Sequence, residues 1–369
     1  MKLGILGGGQ LGLMLARAAR NLGIDCLVVD PKPGAVAGQV AELLALDWTD
    51  PAVVEAMAGC DVVTYEFENV PTSLVESLAS RVPVHPSPIS LELSGDRIAE
   101  KNLFRDLGVE TAPFVQVDSR ADLDRAISEI GLPAILKTRR FGYDGKGQAV
   151  LRSVDDVDEA WARLGAHPLI LEGFVPFERE VSVIAARASD GSMCYWPLTE
   201  NDHVDGILHV SRAPAANVPP ALFESAQRAL ESVMAKLDYV GVLVVEFFQL
   251  GDRLIANEMA CRVHNSGHWT IEGALTSQFE NHVRAVAGLP LGETDVVGPS
   301  AMLNIVSQAP PLDELEKAPA IHVHLYGKSA AEGRKLGHVT IVADTPEEVE
   351  AALDESLKAI GDRARRSGR

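Results

Sequence analysis

The chain has 369 residues, 47% of them hydrophobic, so it can bury a large core in more than one packed layer. Acidic residues outnumber basic residues by 52 to 33, which gives a formal net charge of −19. A charge of this sign repels nucleic acid and anionic membranes, so we expect neither as a partner. An anionic small molecule would need a local cluster of cations.

Cysteine usage and hydropathy indicate the compartment. The four cysteines are scattered and form no CxxC pair, which is typical of buried thiols in a reducing environment. The N-terminus runs directly into an apolar strand, which predicts that there is no signal peptide. No apolar run approaches the roughly 20 residues of a membrane helix. We therefore expect a cytoplasmic protein.

The first 95 or so residues alternate between strand and helix patterns. "LGIL" (3–6) and "CLVV" (26–29) are short apolar strands with an amphipathic helix between them, and "DVVTYE" (61–66) and "VPVHP" (82–86) read as later strands. This alternation predicts a doubly wound α/β domain.

A glycine loop follows the first strand. Gly7, Gly9 and Gly12 have GxGxxG spacing, and Asp30 ends the second strand. This arrangement suits a dinucleotide site, so a nicotinamide dehydrogenase is one interpretation. Any strand-to-helix turn that faces a ligand phosphate also favours glycine, so other nucleotides stay open.

A second glycine loop, "RRFGYDGKGQ" (139–148), lies between predicted strands at 134–138 and 148–152, after a predicted helix at 97–108. Free backbone amides with cations nearby suit a phosphate. The residue order is not that of a P-loop, which ends in Gly-Lys-Ser/Thr before a helix. A surface hairpin is the alternative interpretation.

Paired acids mark the C-terminal half, where clean alternation from Glu180 onward predicts an antiparallel sheet. Glu246 and Glu258 lie within otherwise apolar strands of a predicted hairpin, and buried acids need a counter-ion or a metal. A three-residue turn would place them opposite each other, whereas a two-residue turn would pair Glu246 with Asn257. A Mg²⁺ site therefore requires an odd-length turn, and salt-bridged acids are the alternative.

Polar donors follow the second acid. "CRVHNSGHWT" (261–270) is dense in them: Arg262, His264, Asn265, Ser266 and His268. Such a cluster at a strand end favours a site for an anionic, oxygen-rich substrate.

Taken together, these motifs resemble the ATP-grasp ligases and, within them, the N5-carboxyaminoimidazole ribonucleotide synthetase family. The resemblance covers nearly the whole chain and is carried by "ILGGGQLG", "YEFENV", "FGYDGKGQ", "PLTENDHVDGIL", "YVGVLVVEFF", "NEMACRVHNSGHWT" and "GRKLGH". It implies an α/β and α+β multidomain fold, with ATP held between the last two domains. The implied domains are an N-terminal α/β domain (1–96), a lid region (97–178) and a C-terminal mixed-sheet domain (179–369) with a terminal substrate-phosphate subdomain from about 295.

The resemblance also assigns ATP and Mg²⁺ sites. Lys137 would contact the ATP phosphates beneath the glycine loop, "EGFV" (172–175) would bind adenine through its backbone, and Glu180 would bind the ribose. Glu246 and Glu258 would hold Mg²⁺. The implied ATP-binding residues are Arg97, Lys137, Gly142, Tyr143, Asp144, Gly145, Lys146, Gly147, Gln148, Glu172, Gly173, Phe174, Val175, Glu180, His203, Asn257 and Glu258.

The second substrate implied is 5-aminoimidazole ribonucleotide, whose phosphate needs its own cations. The implied substrate-binding residues are Gln10, Leu11, Glu66, Tyr143, Asp144, Arg262, His264, Asn265, Ser266, Lys328, Arg334 and Lys335, and the implied catalytic residues are Arg262, Lys137 and Asp144. Leu13 and the pair Ala331-Glu332 depart from the family, which often has arginine at the first place and Arg-Pro at the second. Both changes remove charge or rigidity near the expected phosphate site.

The implied reaction joins ATP, bicarbonate and the ribonucleotide into N5-carboxyaminoimidazole ribonucleotide, through carboxyphosphate, in purine biosynthesis. The enzyme would be an ATP-dependent ligase, usually a homodimer in the family. Alternatives are a related formate-using transformylase, which tends to have an acid where this chain has Asn265, the dehydrogenase, and a binding module with an inactive site.

Overall fold

The computed structural model describes residues 1–142, 145–310 and 320–361. Its N-terminal part is a parallel sheet in the order β3-β2-β1-β4, as the alternating pattern predicts. The strands are β1 (Lys2–Leu6), β2 (Asp25–Asp30), β3 (Glu42–Ala45) and β4 (Val62–Tyr65). The helices around it are α1 (Gln10–Asn21), α2 (Pro51–Met57), α3 (Thr72–Ala79) and α4 (Pro88–Ser94), with a 3₁₀ turn at Val36–Gln39.

The strand expected at 82–86 does not form. A single parallel bridge joins Val63 to Val84, where the Val63 amide donates to Pro83 O and the His85 amide donates to Val63 O. Pro83 and Pro86 have no amide hydrogen, so a longer ladder lacks donors. The prediction of a strand was wrong.

Helix α5 (Arg97–Asp106) links the first sheet to the second. Asp96 caps it by accepting hydrogen bonds from the amides of Ile98 and Ala99. The helix ends two residues earlier than predicted, before Gly108, which has a φ of 72°.

The second sheet is antiparallel, in the order β5-β8-β6-β7. It consists of β5 (Phe114–Val117), β6 (Ala134–Thr138), β7 (Gln148–Leu151) and β8 (Leu169–Gly173), with helices α6 (Arg120–Ile130) and α7 (Val157–Leu164) and a 3₁₀ turn at Val154–Asp156. The glycine loop connects β6 to β7. A Cβ on Gly147 would lie 2.6 Å from Thr138 Oγ1, and φ there is 76°, so this turn requires glycine.

The third sheet has nine strands and contains the remaining strands of the described chain. Its main order is β14-β13-β9-β11-β12-β15-β17-β16, and β10 pairs with β9. The strands are β9 (Arg179–Arg187), β10 (Met193–Tyr195), β11 (Thr199–Val204), β12 (Ile207–Ala213), β13 (Gly241–Leu250), β14 (Arg253–Ala260), β15 (Ser300–Val306), β16 (Ile321–Leu325) and β17 (Lys335–Val342). The helices are α8 (Pro220–Lys236), α9 (Thr270–Gly273), α10 (Gln278–Val286) and α11 (Pro346–Ile360), with a 3₁₀ turn at Asn265–Gly267.

The alternation from Glu180 onward predicts an antiparallel sheet, whereas the family resemblance implies a mixed one; each of the described ladders is antiparallel. Hairpins account for the difference, because β11 and β12 and then β13 and β14 are joined by tight turns that allow only antiparallel neighbours.

One apolar core joins the first and third sheets. Tyr65 of β4, Phe104 of α5 and Phe247 of β13 belong to the same cluster, and each is at most 2% exposed. Within the described residues, no helix combines the length and hydrophobicity needed to cross a bilayer.

Candidate active site

Two carboxylates meet across β13 and β14. Glu246 lies directly opposite Glu258, as the Mg²⁺ interpretation requires. The odd-length turn that this pairing was expected to require is absent, because Leu250 pairs with Arg253 and leaves a two-residue turn. The ladder instead shifts between Glu246 and Phe247, where Asn257 is the extra residue of a β-bulge.

The bulge leaves an oxygen available beside the acids. Asn257 Oδ1 is buried and has no hydrogen-bond partner among the described residues. A buried amide oxygen next to two carboxylates is the donor set that Mg²⁺ accepts. Glu180, His203 and Glu246 also bring one ligand atom each within 4.8 Å of the others, but a protonated His203 cannot bind a metal, so the cation site consists of Glu246, Glu258 and Asn257. The residues present therefore fit a divalent cation.

The two acids differ in electrostatic setting. Burial raises the pKa of Glu246 to about 7, and the charge of Glu258 adds to the shift. For Glu258, burial also acts to raise the pKa, but Arg97, whose Nη1 lies 2.8 Å from Glu258 Oε2, outweighs it and holds the pKa below its usual value. A bound cation would relieve the charge that Glu246 carries in this buried setting.

His203 and Glu180 form an ion pair at the same site, with His203 Nδ1 3.1 Å from Glu180 Oε2. Burial acts to lower the pKa of His203, but the hydrogen bond to Glu180 and the charge of Glu246 outweigh it and raise the pKa to about 9. The two residues assigned to the nucleotide are thus in direct contact, and His203 carries a positive charge at neutral pH.

A buried charge network lies behind the glycine loop. Lys137 Nζ is 3.0 Å from Glu172 Oε2, and Lys101 Nζ is 3.6 Å from the same oxygen. Burial acts to raise the pKa of Glu172, but the two lysine charges outweigh it and lower the pKa to about 2. Glu172 Oε1 is buried, and no residue in the described part of the chain hydrogen-bonds to it. Glu172 therefore offers a carboxylate oxygen as well as the backbone groups we expected.

The rest of the predicted adenine segment lies at the end of β8. Gly173 ends that strand and Val175 is buried, whereas Phe174 is exposed. The segment is a short apolar edge next to Glu172, which is compatible with reading a base through backbone groups.

The glycine loop approaches the third sheet. A Cβ on Gly145 would lie 2.8 Å from the carbonyl oxygen of Asp205, in the turn between β11 and β12. Gly142 and Lys146 lie on either side of the loop tip, and Gln148 begins β7. Tyr143 and Asp144 lie outside the described residues, so their assigned roles stay predictions.

Arg262 follows β14 and is held by an acid that sequence reasoning missed. Its Nη2 is 3.2 Å from Glu68 Oε2, and its Nη1 donates to Val263 O at 2.9 Å. Burial acts to lower the pKa of Arg262, but the charge of Glu68 outweighs it and the pKa is raised. Glu68 was findable, because it lies two residues after Glu66 in the quoted "YEFENV" motif.

The His264–Ser266 turn is fixed by a polar network. His264 Nδ1 is 2.9 Å from Ser266 Oγ, which is 2.8 Å from Ser182 Oγ, and His264 Nε2 is 3.5 Å from Glu246 Oε1. Burial and the charge of Arg262 lower the pKa of His264 well below its usual value, so the ring is neutral. Asn265 and Asn304 exchange two hydrogen bonds, of 3.1 and 2.7 Å.

His268, the last donor of the predicted cluster, ends this turn, and its amide donates to Asn265 O at 3.1 Å. Its side chain is 1% exposed, and the ring lies 4.8 Å from that of His338. The backbone of His268 thus belongs to the turn, while a role for its side chain stays a prediction.

The first glycine loop meets the C-terminal cations. The Gly9 amide donates to Glu66 Oε1 at 2.7 Å, and Lys328 Nζ hydrogen-bonds Gln10 Oε1. Burial raises the pKa of Glu66, which the charges of Arg262 and Lys328 partly oppose. The structure thus brings the residues assigned to the ribonucleotide from both ends of the chain to one place.

The remaining cations of that cluster are close enough to act on Lys328. Burial lowers the pKa of Lys328, and the charges of Arg334 and Lys335 contribute to the shift. Arg334 is exposed and its Nη1 donates to Ser329 Oγ at 2.9 Å. Of the two departures from the family, Leu13 is fully buried in the core and Glu332 is exposed.

Three charged residues of α5 and its cap were missed: Asp96, Glu100 and Lys101. Asp96 Oδ2 is 2.7 Å from Arg139 Nη2, and Glu100 Oε1 accepts the Met259 amide at 2.6 Å. Burial raises the pKa of Glu100 to about 8, with Glu258 adding to the shift. The i, i+3, i+4 spacing of Arg97, Glu100 and Lys101 was the available signal, because it places three charges on one helix face.

Comparison with known proteins places this geometry in a family. Residues 1–95 match the ribonucleotide synthetase preATP-grasp domain, residues 102–279 the ATP-grasp domain, and residues 300–352 the phosphoribosylaminoimidazole carboxylase C-terminal domain. The N5-carboxyaminoimidazole ribonucleotide synthase of Pseudomonas aeruginosa is 52% identical over 92% of this chain and 94% of its own. The chain belongs to the N5-carboxyaminoimidazole ribonucleotide synthase family.

Solved structures of this family agree in fold. The Thermus thermophilus synthetase superposes with a TM-score of 0.94 at 49% identity, covering 98% of this chain and 99% of that one. The Aspergillus clavatus synthase, solved with ADP and 5-aminoimidazole ribonucleotide, superposes with a TM-score of 0.90 at 33% identity, covering 97% and 98%. Family membership confirms the ATP-grasp fold and removes the dehydrogenase interpretation of the first glycine loop.

Proposed function

We propose that this chain catalyses the ATP- and bicarbonate-dependent carboxylation of 5-aminoimidazole ribonucleotide to N5-carboxyaminoimidazole ribonucleotide, with release of ADP and phosphate. The observation that carries the proposal is the pairing of Glu246 with Glu258 beside the buried Asn257 oxygen. These three oxygen donors supply a site for the cation that accompanies a nucleoside triphosphate. Relatives of matching length that are named N5-carboxyaminoimidazole ribonucleotide synthase support the proposal.

ATP would lie between the second and third sheets. Lys137 is positioned to contact its phosphates, and the loop from Gly142 to Gln148 would cover them. The buried Glu172 Oε1 lacks a partner, so it would accept a hydrogen bond from the adenine amino group. Glu180 would bind the ribose, and the charged His203 beside it would face the nucleotide.

A divalent cation at Glu246 and Glu258 would neutralise the triphosphate and stabilise charge on the transferred phosphoryl group. Asn257 would add its side-chain oxygen. The chain's own contribution is to hold these three oxygens in place through the bulge.

The ribonucleotide would lie at the first glycine loop. Lys328, Arg334 and Lys335 would bind its phosphate, with Gln10 and Leu11 close to the nucleotide. Glu66 and the turn at His264–Ser266 would line the pocket, and Arg262 would face the reacting groups.

Bicarbonate is a poor electrophile, so we propose that its oxygen attacks the γ-phosphorus of ATP and displaces ADP, which gives carboxyphosphate. The amine of the ribonucleotide then takes the carboxyl group, and phosphate leaves. Lys137 and Arg262 would stabilise the charge that develops during the first step. Carboxyphosphate is lost quickly in water, so loop closure must precede amine attack.

The test is ADP release by the purified protein, with ATP and Mg²⁺ present and the other substrates added in turn. We expect rapid release only when the ribonucleotide and bicarbonate are both present. Release supported by formate in place of bicarbonate would contradict the proposal and favour the transformylase. Three points stay predictions: the domain boundaries at 96 and 178, the cytoplasmic location and the homodimer. Size-exclusion chromatography with light scattering gives the molar mass in solution and tests the homodimer.

A further inference from the structure

Lys101 is a charged side chain that the proposed reaction leaves unused. It is 0% exposed, although lysine is rarely buried without a specific partner. Its Nζ donates to the carbonyl oxygen of Ala256 at 3.1 Å and lies 3.6 Å from Glu172 Oε2. Lys101 therefore connects β14, which carries Asn257 and Glu258, to the acid at the end of β8.

The contacts of Glu172 are unequal. Both Lys101 and Lys137 approach Oε2, at 3.6 and 3.0 Å, whereas Oε1 is buried and has no partner within residues 1–142, 145–310 and 320–361. A carboxylate fixed through one oxygen presents the other in a defined direction. Without Lys101, Lys137 alone would face the carboxylate, and both oxygens could turn toward it.

Helix α5 gives Lys101 a rigid base. Asp96 caps the helix, and Glu100, the preceding residue, accepts the Met259 amide at 2.6 Å. The part of α5 that precedes Lys101 is thus held at two places. The Lys101 side chain is itself fully buried and bonded to Ala256 O, so it has a fixed position, unlike a mobile surface lysine.

We propose that Lys101 is a positioning residue for ATP. It holds Glu172 Oε2 so that Oε1 faces the adenine amino group, and its positive charge, together with that of Lys137, neutralises the Glu172 carboxylate. This inference rests on the proposed function. It predicts that Lys101 acts on base selectivity, although nothing requires it to touch the nucleotide.

The experiment compares ATP with inosine triphosphate, which has a carbonyl oxygen where adenine has its amino group. In the unmodified protein, Glu172 Oε1 would accept from adenine and repel the inosine carbonyl, so kcat/KM should favour ATP. In Lys101→Met, the ratio of kcat/KM for ATP to that for inosine triphosphate should fall about tenfold, as expected from losing one oriented hydrogen bond to a charged group. A purely structural defect would lower both values together and leave their ratio unchanged.

Further variants keep the test decisive. Lys101→Gln can still donate to Ala256 O but carries no charge, and it should lose selectivity as well. It replaces Lys101→Met in the test if that variant does not fold. Glu172→Gln combined with Lys101→Met should be no less selective than Glu172→Gln alone, because both changes act through one group. Lys236→Met, at an exposed lysine in the last turn of α8, is the matched control and should keep the ratio.

The outcomes separate the two proposals. An unchanged ratio in both neutral Lys101 variants, in a protein that turns over ATP with selectivity, would overturn the role of Lys101 and leave the proposed function standing. Absence of ATP-dependent turnover in the unmodified protein would overturn the proposed function, and this inference with it.

Discussion

Glu246 and Glu258 lie opposite each other on β13 and β14, although the turn between these strands contains only Gly251 and Asp252. The register is corrected by the bulge at Asn257, and the same bulge leaves the Asn257 oxygen buried and unpartnered. One irregular residue thus brings two carboxylates and an amide oxygen to one point, where a regular ladder would have sent Glu258 to the other face.

This arrangement makes Glu258 the most informative carboxylate to change. Glu258→Gln should reduce turnover by at least about 100-fold, because it removes one of few protein ligands of the cation and the charge that faces Arg97. The measurement is phosphate release at saturating Mg²⁺, with circular dichroism to show that the fold is kept. Glu76→Gln, at an exposed acid of α3, is the control. Near-normal activity in Glu258→Gln would remove the residue from the metal site.

Asp96 provides a prediction about pH. Burial acts to raise its pKa, but the ion pair with Arg139 outweighs it and the pKa is lowered from 3.8. A lowered folded-state pKa contributes stability above the unfolded value, and that stability is lost as the pH falls through the folded value. Asp96→Asn keeps an oxygen for the cap but loses the charge. At pH 7 it should therefore lower the free energy of unfolding by about 1–3 kcal/mol.

The same variant should approach the unmodified protein in stability as the pH falls below about 4, measured by urea denaturation at a series of pH values. Asp96→Ala also lacks the capping oxygen, so its free energy of unfolding should be about 1 kcal/mol below that of Asp96→Asn at every pH. A pH-independent difference for Asp96→Asn would show that the Arg139 ion pair contributes nothing.

The charged face of α5 explains why part of the site escaped prediction. The pattern of "RIAEKNLFRDLG" correctly indicates an amphipathic helix, but a charged helix face is normally solvated. Here Glu100 and Lys101 are 2% and 0% exposed, because Glu100 accepts a hydrogen bond from β14, and Lys101 contacts both β14 and Glu172 of β8. That burial depends on long-range packing, which local periodicity does not encode. The bulge at Asn257 was not predicted for a related reason, because the sequence does not show whether the extra residue lies within the strand or in the turn.

The glycine loops and the paired acids were predictable because their chemistry is local. The sequence shows the glycines of the loop and shows Glu246 as an acid within an apolar strand. The structure explains the glycine at 147 by its positive φ and by the lack of room for a Cβ. The motif "YEFENV" contains Glu68, but its pairing with Arg262, nearly 200 residues later, depends on the fold.

Isotope transfer tests the chemistry of the first step. A bicarbonate oxygen that attacks the γ-phosphorus of ATP stays bound to phosphorus when the carboxyl group is transferred. With ¹⁸O-labelled bicarbonate, we therefore expect label in the released phosphate, measured by mass spectrometry. Unlabelled phosphate from labelled bicarbonate would exclude carboxyphosphate.

The last prediction concerns the cations at the first glycine loop. Lys328 hydrogen-bonds Gln10 and lies 5.7 Å from the centre of the Tyr326 ring, so it is fixed against the loop, whereas Arg334 is exposed and contacts Ser329. In a chain of net charge −19, such a cluster would serve an anion, and the ribonucleotide phosphate fits that need. A solvated basic turn is the alternative.

Arg334→Ala should raise the KM for the ribonucleotide about tenfold or more, because a charge-assisted contact contributes about 1.5–3 kcal/mol. The KM for ATP should stay nearly unchanged, since the ATP phosphates would lie at Lys137 and the cation site. Arg228→Ala, at an exposed arginine of α8, should change neither value. Glu332 is exposed and adds a negative charge two residues before Arg334, so Glu332→Arg should lower the KM for the ribonucleotide. If Arg334→Ala changed both KM values alike, or neither, the phosphate site would have to lie elsewhere, because only a separate pocket predicts an effect on one substrate alone.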